Sequence, residues 1–335
     1  MEVINFLFLD SFSEFFNPKK RIFIGYLFSA IVIASFWLVF IRKKNFYESL
    51  KKIFDKTILF SKSAKSDYLL FFFNQIIMSV LSPLLITQLA IATAIFYYLH
   101  SVSWLEPGVL KNTSLILITI LFTIFHFIIE DFSKYIVHRF MHKWPLLWAV
   151  HKVHHSATCL TPMTVFRTHP LEGVIFSLRG AITQAISISF FVFFFGSNVD
   201  IATILGANIF IFVFNVAGSN LRHSHIDISY WKWLERIIIS PAQHQVHHSV
   251  LTRHHDKNFG VALAIWDWMF DSLHHSEKID KLTLGIDLNQ KEETHKLYNL
   301  YIDPLKEIFS IILKKIIKIL SLLKSLKFKS IGADQ

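Results

Sequence analysis

The chain has a single cysteine, Cys159, among 335 residues. One cysteine excludes an intrachain disulfide framework, a cysteine-built zinc module and a cysteine-ligated iron–sulfur cluster. Charge is also scarce. Asp, Glu, Lys and Arg make up 17% of the chain, against about 25% in a soluble domain. Glycine and proline number only 10 and 8. No glycine-rich dinucleotide-binding fingerprint, no HExxH pattern and no nucleic-acid module is found. What is abundant is apolar: 53% of residues are hydrophobic, Phe alone numbers 35, and the mean hydropathy is +0.45. An ordinary soluble domain and a disordered chain are both excluded. The composition is that of helices in lipid. Lys plus Arg exceeds Asp plus Glu by 34 − 24 = 10.

A bilayer core needs about 20 apolar residues as helix. Ile22 to Ile41 meets this, closed by Arg42, Lys43 and Lys44. A second candidate lies within Tyr68–Tyr98, interrupted by Pro83, and could be one span or two. A third runs from Ser114 to Ile129, and a helical hairpin is predicted from Val174 to Phe195 and from Ile201 to Val216. Asp10 and Glu14 precede a full-length span, which is not the pattern of a cleavable signal peptide. Residues 42–67 carry eight Lys or Arg, so the positive-inside rule places this loop in the cytoplasm. With Tyr68–Tyr98 as one span, the histidine-rich segments share that face. Asp303 to Ser330 reads as a basic amphipathic helix on an anionic membrane surface.

Fifteen of the 18 histidines fall between His138 and His275. Eight form three clusters: His138 with His142, His151 with His154 and His155, and His244 with His247 and His248. Positions i, i+3 and i+4 share a helix face, so each cluster is expected to project its imidazoles in one direction. Neutral imidazole offers a lone pair to Fe, Zn, Cu or Ni. Eight ligands exceed what one tetrahedral ion needs, and two ions are the natural count. Carboxylate-rich di-iron sites on four helices use Glu and ExxH, a pattern absent here.

These motifs resemble the fatty acid hydroxylase/sterol desaturase superfamily of integral-membrane di-iron enzymes. Asp131 followed by His138, Arg139 and His142 resembles its first box. Trp148 with His151, Lys152, Val153, His154, His155 and Ser156 resembles the second. Pro241 with His244, Gln245, Val246, His247, His248 and Ser249, followed by Asp256–Gly260 and Trp266–Phe270, resembles the third. Phe166–Glu172 matches a further family pattern, and the likeness covers roughly Leu115 to Asp271. The resemblance implies one more ligand after the hairpin, where Asn220, Leu221, Arg222, His223, Ser224 and His225 stand. His223 is favoured over His225. The expected metal set is therefore His138, His142, His151, His154, His155, His223, His244, His247 and His248. His169, His225, Asp131, Asp256 and Asn258 are further candidates, as ligands or as partners of ligands. His254, His255, His274 and His275 are expected to be solvated or interfacial, and His100, His126 and His295 structural.

The expected fold is all-α: a polytopic helical membrane protein with a cytoplasmic-facing, histidine-rich di-metal helical cap. Residues 1–113 would form an N-terminal transmembrane region, 114–275 the catalytic domain, and 276–335 a tail with the basic helix. The resemblance implies an oxidoreductase that holds two Fe ions (Zn possible as purified) and uses O₂ to hydroxylate or desaturate a lipid or sterol-like substrate. Nothing in the chain carries electrons, so a separate electron-transfer protein is implied. Desaturation or alkylglycerol-type ether oxidation would use the same boxes. A divalent-metal transporter or sensor is the alternative outside enzymes. It would want polar groups lining the spans, where only Asn74, Gln75, Gln88, His126, Arg179, Gln184 and Asn208 are scattered. Richness in Ile, Lys and Phe suggests a bacterial inner membrane rather than endoplasmic reticulum.

Overall fold

A computed structural model describes residues 12–82, 85, 87–196, 199, 209–277 and 282–331. The described residues are helical, and they contain no strand, only isolated bridges between Ile238 and Leu263 and between Ser249 and Leu284. Helix α1 (Ile24–Phe36) continues as a π turn, Trp37–Ile41. Next come α2 (Phe46–Ile53), α3 (Lys62–Leu81), α4 (Gln88–Ser101), α5 (Leu115–Lys143) and α6 (Pro145–His155). Helices α7 (Pro170–Phe195), α8 (Ile209–Val216), α9 (Pro241–His247) and α10 (Leu297–Ile331) follow, and short helical turns lie at Lys56–Leu59 and Ile265–Met269.

Ile24–Ile41, Leu115–Lys143 and Pro170–Phe195 are long and apolar enough to cross a bilayer. The predicted span in Tyr68–Tyr98 resolves into two separate helices: α3 stops at Leu81, and α4 starts after Thr87, whose side chain accepts from Ala90 N. Pro83, at which the sequence predicts an interruption, lies outside the described residues. Half of the predicted second hairpin arm, 201–208, is likewise outside the described residues. The span starting near Ser114 runs further than Ile129. No breaker occurs before Trp144 and Pro145, so α5 carries lipid-facing apolar residues and then Asp131, His138 and His142 on one rod.

Trp144 ends α5 and begins α6 in an extended conformation, with Pro145 at the first helical position. This elbow folds α6 back against α5. The span layer is held by Ile118 and Phe122 of α5 packing on Phe191 and Phe195 of α7. Arg179 of α7 forks onto Glu130 of α5, at 2.8 and 2.9 Å, and Thr183 donates to the same carboxylate. His126 meets Ser187 at 3.1 Å. Two of the polar side chains scattered through the predicted spans, Arg179 and His126, therefore bond between helices rather than line a path. Helix α10 docks through Leu300, packed on Leu70 and Val153, and through a Lys152–Glu307 ion pair. Further along, Leu305, Phe309, Ile312, Leu313 and Ile316 are exposed.

Candidate metal centre

The nine expected histidines converge in two groups. His138, His142, His151, His155 and His247 form one, and His154, His223, His244 and His248 the other. Within each group the possible ligand atoms lie within 4.8 Å of one another. The HxxHH clusters do not project in a single direction. In α6, the i,i+4 pair His151 and His155 enters the five-histidine group while His154 enters the other. In α9, the pair His244 and His248 enters the four-histidine group while His247 crosses to the first. Successive helical residues are about 100° apart. Adjacent histidines therefore part company when both flanks of the helix are occupied.

Local sequence makes α9 possible. Ser240 Oγ accepts from Gln243 N at 3.1 Å, and Gln243 Oε1 accepts from Ser240 N at 2.9 Å, with Pro241 at the first helical position. His223 comes from the short 3₁₀ turn Ser219–His223. Three imidazoles are oriented through Nδ1. Phe259 O accepts from His138 Nδ1 at 2.8 Å, Lys257 O from His247 Nδ1 at 2.7 Å, and Glu172 Oε1 from His151 Nδ1 at 2.9 Å. Each bond places the Nε2 lone pair toward the group.

The Nε2 atoms face one another. His244 and His223 are 3.0 Å apart, His223 and His154 3.1 Å, His248 and His244 3.3 Å, and His247 and His138 3.0 Å. Ligands about 2.0–2.1 Å from one tetrahedral ion would stand roughly 3.3 Å apart. Nε2 of His142, His151 and His155 is buried with no hydrogen-bond partner. A proton can join one pair of these nitrogens, but it cannot satisfy four or five that share a centre. A cation can, so the residues present fit two metal ions.

Burial, together with the neighbouring imidazoles, pushes His154, His155, His223, His244 and His248 well below the ordinary histidine range, and burial pushes His247 down to about 3. These rings are neutral and ready to ligate near pH 7. The sign for stability follows. An unfolded chain protonates histidine below about pH 6.5, and the folded metal-free site resists protonation, so stability falls as pH drops from there toward the depressed values. Denaturant melts of metal-stripped protein between pH 8 and pH 4.5 are expected to show this decline. A flat profile would contradict it.

The other candidates lie outside both groups. His225 Nε2 is 2.6 Å from Lys52 O. His169 caps α7, with Nδ1 accepting from Leu171 N and Nε2 facing Tyr301 O. Asp131 accepts from Ala262 N, Leu263 N and Trp266 Nε1, tying α5 to the third box. Asp256 pairs with Lys143. Asn258 donates to Gln243 O and accepts from His274 N. Asp256 and Asn258 have φ of 59° and 58°, left-handed values that Asp and Asn tolerate better than most residues. The loop they shape presents the carbonyls of Lys257 and Phe259 to His247 and His138. A Cβ at Gly260 would stand 2.5 Å from Leu263 O.

His254, expected to be solvated or interfacial, is not solvated. The turn Thr252–His254 buries it, with Nε2 3.1 Å from Glu277 and the ring 5.0 Å from that of His274. His295 is structural, with Nδ1 3.0 Å from Arg167 Nη2. Three contributors were not singled out from sequence. Glu172 orients His151. Asp267, its carboxyl raised by burial to about 6, accepts from Phe259 N and Gly260 N and so braces the loop facing His138. Arg167 is wholly buried and binds Asp67, Ser156 and Val153 O beneath α6. Each signal was present as an acid or arginine inside a motif, but its partner lies far away in sequence. Glu172→Gln is expected to weaken metal retention by about 10–100-fold, read by chelator competition. Unchanged retention would exclude the orienting role.

A cavity of about 390 Å³ reaches His138, His151, His154, His223 and His244, with Phe127, Phe176, Ile211 and Phe214 on its walls. A second, also about 390 Å³, reaches His142, His155 and His247 beside Trp148. A larger apolar cavity of about 560 Å³, bordered by α1, α3 and Leu221, touches none of the nine.

The fold and site together define a helical membrane protein with two buried imidazole groups suited to metal. The fatty acid hydroxylase family profile matches residues 123–272. This part of the chain is similar to the fatty acid hydroxylase/sterol desaturase superfamily. Ornithine lipid hydroxylase OlsE of Rhizobium tropici is 24% identical over 160 residues, 48% of this chain and 44% of its own. Delta(7)-sterol 5(6)-desaturase ERG3B of Gibberella zeae is 26% identical over 144 residues, 43% and 40% of the two chains. Alkylglycerol monooxygenase of Danio rerio is 28% identical over 167 residues, 47% and 31%. The chain thus spans less than half the length of these relatives. No solved structure matches it.

Proposed function

We propose that the protein is a membrane-bound, O₂-dependent di-iron oxidoreductase that hydroxylates a lipid or sterol-like substrate. The observation that carries this reading is the pair of buried groups with their Nε2 atoms turned toward one another. The nine histidines named above would hold the ions, five on one and four on the other. Bound iron, with O₂ and electrons from a separate protein, would supply the oxidising power to break an unactivated C–H bond. The chain itself contributes orientation and exclusion of water. Glu172, Lys257 O and Phe259 O fix the tautomers of three imidazoles. Phe127, Phe176, Ile211 and Phe214 offer apolar walls to a lipid chain and keep water from the reacting carbon.

Residues 42–67 touch the histidine-bearing side through Lys52 O, 2.6 Å from His225 Nε2, and Asp67, bonded to Arg167, so the basic content of this stretch supports a cytoplasmic placement of the histidines, in a bacterial inner membrane. The segment 114–275, opening just before α5, serves as the catalytic unit. Residues 1–113 supply membrane helix, and the tail 276–335 rests on anionic lipid. Desaturation and ether oxidation would require the same metal site, and the relatives include all three activities. Incubating the iron-loaded protein with lipid, O₂ and a reducing system is expected to give products heavier by one oxygen. Loss of two hydrogens would assign a desaturase. No O₂-dependent product from a protein holding two irons would overturn the enzyme reading in favour of a metal transporter or sensor.

A further inference from the structure

The cavity that reaches the histidines carries unbalanced charge at one end. Arg21 and Arg222 both line it. Arg21 Nη2 donates to Ser219 O at 2.6 Å, and Nε to Asn220 Oδ1 at 3.2 Å. Arg222 Nε donates to the same Ser219 carbonyl at 3.3 Å, and Nη1 to Val261 O. Two guanidiniums therefore share one acceptor, and among the described residues neither forms an ion pair with a carboxylate. The acids of this cavity have other direct partners: Glu130 bonds Arg179 and Lys134, Asp131 two backbone amides and Trp266, and Glu172 His151, and only Asp131 adds a field at Arg222 without a direct bond. Arginine stays protonated in proteins, and buried like charges are costly without a counter-charge.

We propose that Arg21 and Arg222 seat an anionic head group, phosphate or carboxylate, of the lipid substrate. This rests on the oxidoreductase reading above and names its substrate class. The guanidinium fork suits both anions. Phe214, 5.0 Å from the Arg222 guanidinium, begins the apolar wall on which the chain would lie. His223 follows Arg222 directly and belongs to the four-histidine group. The oxidised carbon therefore lies in the part of the lipid next to its head group, not at the chain terminus.

The test is lipid binding by the full-length, detergent-purified protein, followed by native mass spectrometry without turnover. The probes are phosphatidic acid, a free fatty acid and the diacylglycerol with matching chains, with inorganic phosphate as competitor. The wild type is expected to favour at least one of the two acids over diacylglycerol by about tenfold or more. Arg21→Gln should lower that preference to about threefold or less, and Arg21→Lys should retain most of it. Lys314→Gln with Lys318→Gln removes the contacts of the tail helix with anionic lipid, and the preference that remains should still depend on Arg21. Equal binding of diacylglycerol, a preference that vanishes with the two lysines, or full preference in Arg21→Gln would each overturn the proposal. Inorganic phosphate held as tightly as the lipid would overturn its assignment to a head group. Should Arg21→Gln fail to fold, the wild-type and lysine-variant comparison still decides. Protein without iron but with the preference intact would overturn the oxidoreductase reading and leave the anion seat standing.

Discussion

Replacing His154 and His247 together by alanine is expected to remove both metal ions. His154 belongs to the four-histidine group and His247 to the five-histidine group, so the pair of substitutions strikes each site once. Both rings are buried, and each loss leaves the remaining imidazoles facing an unfilled position. Partners that merely orient a ligand are worth about 10–100-fold, so loss of a ligand should lower turnover by more than about 100-fold. Metal content, measured by elemental mass spectrometry, should fall from about two ions per chain to near zero. Two zincs in the wild type would show an intact site filled during expression, and reconstitution with iron would follow. A double variant that keeps two ions would end the assignment. So would a well-folded wild type that binds none.

The second large effect is on stability. Arg167 and Asp67 are both fully buried, with Arg167 Nη1 donating to Asp67 Oδ1 at 2.9 Å. Thr164 Oγ1 donates to the other carboxylate oxygen at 2.7 Å, and Arg167 also holds Ser156 and the Val153 carbonyl at the end of α6. Arg167→Ala leaves a carboxylate buried without its cation. The expected cost is about 3–5 kcal/mol, seen as a lowered unfolding midpoint of the detergent-purified protein. Removing both partners, as Arg167→Met with Asp67→Leu, should recover most of the loss, because neither charge is then stranded. A double variant as unstable as Arg167→Ala would locate the effect in the bonds to α6 instead. Metal content should fall in the single variant as well, since α6 carries His151, His154 and His155.

Several features of this site could be read directly along the chain. The histidine spacing, the Ser240–Gln243 cap and the Trp144–Pro145 elbow are local, within four residues, and helix geometry alone gives them meaning. Apolar content marks only the part of α5 up to Ile129, and the helix continues beyond it to Lys143. Nothing interrupts that helix between Ile129 and Lys143, and the rod leaves its apolar stretch without leaving its hydrogen-bond pattern. The long apolar run 68–98 was ambiguous for the opposite reason, since composition did not register the separation of α3 from α4.

The sequence by itself determined that this is a helical membrane chain with little charge and clustered imidazoles, because hydropathy and helical spacing are properties of neighbouring residues. Only the tertiary structure decided which imidazoles share a centre. His154 and His155 are adjacent and part, as do His247 and His248, while His138 and His247 meet across 109 residues. The carbonyls facing His138 and His247, the Glu172 carboxylate and the Arg167–Asp67 pair were likewise invisible along the chain. The physical reason is shared by all of them. A hydrogen bond or a metal ligand is defined by distance in space, and helix crossings and left-handed loop residues set that distance.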